Sequence, residues 1–92
     1  KHLLLSLFLV LSFQIHASYI LIPMDAESQK NHLKAYGITY WTLNKQENVK
    51  WLLNYRGGSF LLPYIDTIEK ECLIRGVSYE LISDAETQAI LQ

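Results

Sequence analysis

The chain has 92 residues, half of them apolar and 18% charged, with 9 acids against 8 bases and a single cysteine. That is room for one domain at most. A net charge of −1 without a basic cluster argues against a nucleic-acid or anionic-membrane surface, and one Cys argues against a disulfide-stapled scaffold or a Cys-rich zinc module.

Lys1 and His2 precede an apolar stretch from Leu3 to Phe13, and Gln14-Ile15-His16-Ala17-Ser18 makes a polar exit. This is the layout of a secretory signal peptide, with cleavage expected after Ala17 and a secreted or periplasmic destination. The apolar core is too short for a membrane anchor, which needs roughly 20 residues. The membrane therefore enters only through the leader during export. Residues 18–92 remain as an α/β domain or domain fragment with 7 bases and 9 acids. A domain of that size buries only about 60% of its unfolded surface.

Tyr19-Ile20-Leu21-Ile22, closed by Pro23, reads as a strand buried on both faces. Asp25 then opens a helix with Asp25 and Glu27 in its first turn, Lys30 and Lys34 in its last, and Gly37 as a left-handed stop. Its apolar stripe, Ala26, Leu33 and Tyr36, is thin and predicts a surface helix. Ile38 to Leu43 is rich in β-branched and aromatic residues and reads as a strand. Asn44 to Asn48 forms a polar turn, and Val49 to Tyr55 alternates as another strand. Arg56-Gly57-Gly58-Ser59 predicts a two-residue hairpin turn pairing Tyr55 with Phe60 and Leu53 with Leu62.

Between Pro63 and Gly76, Ile65, Ile68, Cys72 and Leu73 recur at helical spacing, which makes Cys72 a small core hydrophobe. Val77 to Ile82 returns as a strand, and Ser83 with Glu86 is a capping-box pattern opening a last helix. Tyr19 to Pro23 echoes Ser59 to Pro63, and Gly37 to Leu43 echoes Gly76 to Ile82. The expectation is two β-α-β crossover units in an α/β sandwich with a mixed sheet, in the order βαβββαβα, preceded by a signal-peptide helix. The absent initiator Met and the barely begun apolar face of the last helix suggest a piece of a longer chain.

Ligands in open α/β sheets bind beyond the carboxyl ends of the strands. Asp25, Asp66 and Asp84 fall at such ends. Together they would suit a divalent cation or paired acid and base chemistry; separately each suits a helix N-terminus. His32 has no second His or nearby Cys to complete a metal set, and Glu69 and Glu71 flank Cys72 where a thiolate needs positive charge. Gly57-Gly58-Ser59 lacks the Lys and the following helix of a phosphate loop. Trp41 and Trp51, expected on adjacent strands, are candidates for a sugar or peptide platform, or for core beneath helices. These residues name no catalytic group, no metal and no cofactor.

Ile20 to Asp25, Gln29 to Gly37 and Trp51 to Phe60 together resemble the N-terminal part of secreted bacterial proteins that carry the name asparagine synthetase B, over nearly all of residues 18–92. The resemblance implies a chain several times longer, with a later region similar to an amidotransferase-like α/β fold. The downstream domain of the same polypeptide would then be the partner. Glutamine-dependent asparagine synthetases share an N-terminal catalytic Cys and a Ser-Gly-Gly-x-Asp-Ser loop for ATP pyrophosphate. Here the only Cys is Cys72, and Gly57-Gly58-Ser59 lacks the rest of that loop, so no catalytic residue carries over. Three readings follow: a non-catalytic segment that docks against later chain, part of a hydrolytic or amidotransferase-like enzyme with its site downstream, or a sugar- or peptide-binding module.

Overall fold

The computed structural model describes residues 17–92. The leader expected over residues 1–17 lies outside them apart from Ala17. The elements in chain order are β1 (Tyr19–Ile22), α1 (His32–Asn44), β2 (Lys50–Leu52), β3 (Ser59–Pro63), α2 (Asp66–Arg75), β4 (Glu80–Ile82) and α3 (Asp84–Leu91). The strands form one sheet in the order β2-β3-β1-β4, with every neighbouring pair antiparallel. The chain is mixed α/β, but the sheet is not the mixed one expected.

The order follows from burial. In β1 the period-two alternation of a continuous apolar run sends Ile20 and Ile22 to one face and Leu21 to the other, and all three are sealed from solvent. A strand buried on both faces belongs in the middle, and β1 pairs with β3 on one side and β4 on the other. α1 and α2 each carry the chain past one intervening strand, which is the split β-α-β arrangement. Ala35 and Ile38 of α1 and Ile68 and Cys72 of α2 pack on Ile20, Ile22, Phe60 and Leu62. On the opposite face Leu21, Leu61 and Ile82 are partly covered by Ile90 of α3.

One expected strand is absent. Ile38 to Leu43 forms the second half of α1, so the order is βαββαβα rather than βαβββαβα. Gly37 lies inside the helix and is not among the positive-φ residues, whereas Gly76 ends α2 at φ 71° as a left-handed cap. The β-branched residues are tolerated because tertiary burial outweighs their modest helix penalty. Ala35, Ile38, Thr39 and Thr42 recur at helical spacing on the buried side. The hydroxyls of Thr39 and Thr42 donate to the carbonyls of Ala35 and Ile38 at 2.9 and 2.8 Å, so neither is buried unsatisfied. The helix starts later than expected too: residues 26–28 form a turn, and Asn31 caps α1 by accepting from Lys34 N–H.

The hairpin register also differs. Trp51 pairs with Phe60 and Leu52 with Ser59, leaving a six-residue loop from Leu53 to Gly58. Arg56, Gly57 and Gly58 take positive φ in succession, at 45°, 78° and 87°. This left-handed turn is closed by Gly58 and Ser59 N–H donating to Tyr55 O. The capping box at the start of α3 is as read: Ser83 Oγ accepts from Glu86 N–H, and Glu86 Oε1 accepts from Ser83 N–H.

Candidate functional site

The antiparallel order separates the three candidate acids. Tyr19 at the start of β1 lies opposite Pro63 and Ile82 at the ends of β3 and β4. Asp25, beyond the other end of β1, is therefore at one end of the sheet, with Asp66 and Asp84 at the other. Asp66 and Asp84 occupy first-turn positions of α2 and α3, where the helix dipole favours a carboxylate. Asp66 also pairs with Lys70 one turn along at 3.0 Å. Among the described residues no group of three His, Cys, Asp or Glu side chains converges to hold a metal.

Asp25 organises a loop junction instead. Its Oδ2 accepts from the backbone N–H and hydroxyl of Ser28 at 3.2 and 2.7 Å. Its Oδ1 is sealed from solvent without a hydrogen bond, facing Arg56 Nε at 3.5 Å. Arg56 also reaches Glu80 at 2.9 Å and donates to Ser28 Oγ at 2.8 Å. The Ser28 hydroxyl first, with help from the Arg56 charge, holds the Asp25 carboxyl below the usual carboxylate range. A group held ionised in this way is a tether and a poor proton donor at neutral pH. Its stabilising effect is present above the ordinary carboxylate pKa and is lost as pH falls through the lowered one.

His32, at the start of α1, donates Nε2–H to the Met24 carbonyl at 2.9 Å, which ties the helix to the same junction. Glu69 of α2 accepts from the phenols of Tyr64 at 3.0 Å and Tyr79 at 2.8 Å. Cys72 is fully buried beside it. Burial first, then the Glu69 charge, pushes the thiol up to about 11. Native protein is accordingly expected to leave Cys72 unmodified by a disulfide reagent at pH 8, with one thiol per chain appearing only in urea. Rapid labelling without denaturant would mean the thiol is not in the core.

The two tryptophans do not share a pair of strands. Trp41 is on α1, half-buried against α2, with Lys45 Nζ 4.6 Å and the Arg75 guanidinium 5.6 Å from its ring. Trp51 is on β2 and 60% exposed. Its Nε1–H donates to Gly58 O at 3.0 Å, and its ring stacks on Phe60 with centroids 6.1 Å apart. Tyr36 of α1 meets the same Phe60 ring edge-on at 5.8 Å.

An uncovered apolar stripe runs along α1. Leu33, Tyr36, Tyr40 and Leu43 are all exposed, Leu33 to 83% and Tyr40 to 66%. Their three-four-three spacing places them on one helical stripe, with Gly37 between them, Asn44 at its end and no charged side chain on it. A helix ending at Gly37, as the sequence predicts, would hold only Leu33 and Tyr36 of these four. A concavity of about 300 Å³ lies between the β2–β3 loop and the end of α3, lined by Leu52, Leu53, Tyr55, Ile90 and Leu91 among others, with no charged side chain. Among the described residues no helix is long and apolar enough to cross a membrane. No family model, no curated protein and no solved structure matches the chain.

Proposed function

We propose that the chain is a non-catalytic packing module, the exported N-terminal part of a larger protein resembling those named asparagine synthetase B, and that it offers the outer face of α1 to later parts of that protein. Export to a secreted or periplasmic location rests on the leader pattern of residues 1–17. The observation that carries the reading is that α1 is apolar on two sides, with Ala35 and Ile38 against the sheet and Leu33, Tyr36, Tyr40 and Leu43 toward solvent. A contiguous exposed apolar stripe of this kind ordinarily marks a surface that another element covers. The titratable groups support the same view, since Asp25, Asp66, Glu69 and Arg56 are each committed to partners within the fold.

Tyrosine nitration followed by peptide mass spectrometry tests the reading. Tyr36 and Tyr40 are expected to react with tetranitromethane in this 92-residue chain and to be protected in the longer polypeptide. Equal reactivity in both forms removes the proposal.

A further inference from the structure

We infer that the β2–β3 loop is a releasable strap, fastened by Arg56 across the end of the sheet, and that its opening uncovers the sheet face opposite α1 and α2. The strap is independent of the packing role proposed for α1. The loop, Leu53 to Gly58, passes the end of β1 and reaches β4 at the far edge, because Arg56 meets Asp25 beyond β1 at 3.5 Å and Glu80 of β4 at 2.9 Å. Arg56 also donates to Ser28 Oγ at 2.8 Å, and its carbonyl accepts from Met24 N–H at 3.2 Å. Among the described residues, these are all the hydrogen bonds and ion pairs that join the loop to anything outside the β2–β3 hairpin. Other bonds of the loop, such as Trp51 Nε1–H to Gly58 O, stay within the hairpin. One residue therefore decides whether the strap is fastened.

Opposing effects meet at Arg56. It holds φ 45°, in the left-handed region that a residue with a Cβ enters at a cost. Against that cost stand ion pairs from a guanidinium that is 31% exposed, which water and salt weaken. Fastened and released states are thus close in free energy, as in a segment that opens locally while the rest stays folded. Release also acts on the other side of the loop. Tyr55, the neighbour of Arg56, lies with Leu52 and Ile90 over Leu21, Leu61 and Ile82. The loop and the end of α3 do not seal on each other, since the concavity of about 300 Å³ lies between Leu53 and Tyr55 on one side and Ile90 and Leu91 on the other. Tyr55 can leave without displacing α3, and Leu21 and Leu61, both buried in the fastened state, then meet solvent.

Amide hydrogen exchange on the full chain at constant pH tests the strap. Met24 N–H is the reporter because its partner is Arg56 O, and its rate is taken as a ratio to the slowest amides of β1 and β3. That ratio is expected to be about ten or more, and to rise about threefold when NaCl goes from about 0.05 to 1 M. Arg56→Met keeps the left-handed cost and loses the clasp, so it should raise the ratio about tenfold and abolish the salt response. Arg56→Gly loses both and should fall about threefold short of the Met variant, since Gly takes this φ freely but gains freedom when released. Nitration of Tyr55 by tetranitromethane should quicken in Arg56→Met as the cover lifts.

Met24 N–H exchanging together with the core amides overturns the inference, because the strap then leaves only when the whole domain unfolds. A ratio that neither salt nor Arg56→Met changes also overturns it, since Arg56 is then no clasp. Arg56→Gly equal to or above Arg56→Met removes the left-handed backbone as the opposing force, and with it the spring in the strap. Faster Met24 exchange with Tyr55 nitration unchanged detaches the loop from the face it covers and ends the uncovering. The salt series needs no variant, so it decides the matter even if a substituted chain fails to fold.

Discussion

Replacing Gln29 by Leu is expected to lower stability by about 3–5 kcal/mol. Gln29 is 3% exposed and joins two loops 49 residues apart. Its Nε2 donates to Pro23 O at 2.9 Å and Ser78 O at 3.0 Å, and its Oε1 accepts from Ser78 N–H at 2.9 Å. The side-chain amide thus acts as a short piece of strand, completing the backbone bonds of the β1–α1 and α2–β4 connections. Leu fills the volume but strands two carbonyls, the Ser78 N–H and the Asn31 N–H that donates to Oε1 at 3.4 Å, the well-formed bonds costing about 1–3 kcal/mol each unless water reaches the freed groups. For a domain this small that is a large share of a total near 5–15 kcal/mol. Gln29→Glu separates polarity from shape. It keeps the acceptor for Ser78 N–H but sets carboxylate oxygen against two carbonyls. It should therefore be more destabilised at pH 7 than at pH 4, where the protonated acid can donate to one of them. Urea midpoints at constant slope measure both variants. A Leu variant within about 0.5 kcal/mol of the parent would show that solvent already satisfies these groups.

The features legible in the sequence were those with local causes. Tyr19–Ile22 is a strand because four apolar residues before Pro23 admit little else, Gly76 stops α2 because only a left-handed residue closes it, and Ser83 with Glu86 caps α3 through atoms three residues apart. Gly37 and Gly76 look alike in sequence and behave oppositely. Whether a helix continues through a glycine is decided by what its far side buries, and Ile38 and Thr42 find the sheet. From that one misreading follow the extra strand, the placement of Trp41 on a strand, and the overlooked Tyr40 and Leu43. The Gln29 clamp left no local trace, since its partner Ser78 is distant in the chain. Asp25, Asp66 and Asp84 do lie beyond strand ends. Their separation needed the strand directions, which turn on β1 running opposite to both neighbours.

Alanine at the three left-handed glycines should give a graded series, steepest at Gly57. At Gly76, φ 71°, a Cβ would meet nothing within 4 Å, so Gly76→Ala carries only the left-handed penalty of about 1–2 kcal/mol. At Gly58, φ 87°, the new methyl would sit 3.2 Å from Trp51 Nε1, a side-chain atom able to shift at the cost of loosening its bond to Gly58 O. At Gly57, φ 78°, it would sit 2.7 Å from Asp25 N and 2.9 Å from Met24 C, both backbone. Those atoms cannot retreat alone, because Met24 N–H donates to Arg56 O at 3.2 Å and Arg56 holds Asp25 and Glu80. Gly57→Ala is therefore expected to cost about 3 kcal/mol or more, the left-handed penalty plus rupture of the loop junction. The same variant should move Trp51, whose indole is anchored on this loop and stacked on Phe60. Urea midpoints rank the three, and near-ultraviolet circular dichroism reports the indole. If Gly57→Ala proves no worse than Gly76→Ala, the β2–β3 loop is not docked on Met24 and Asp25.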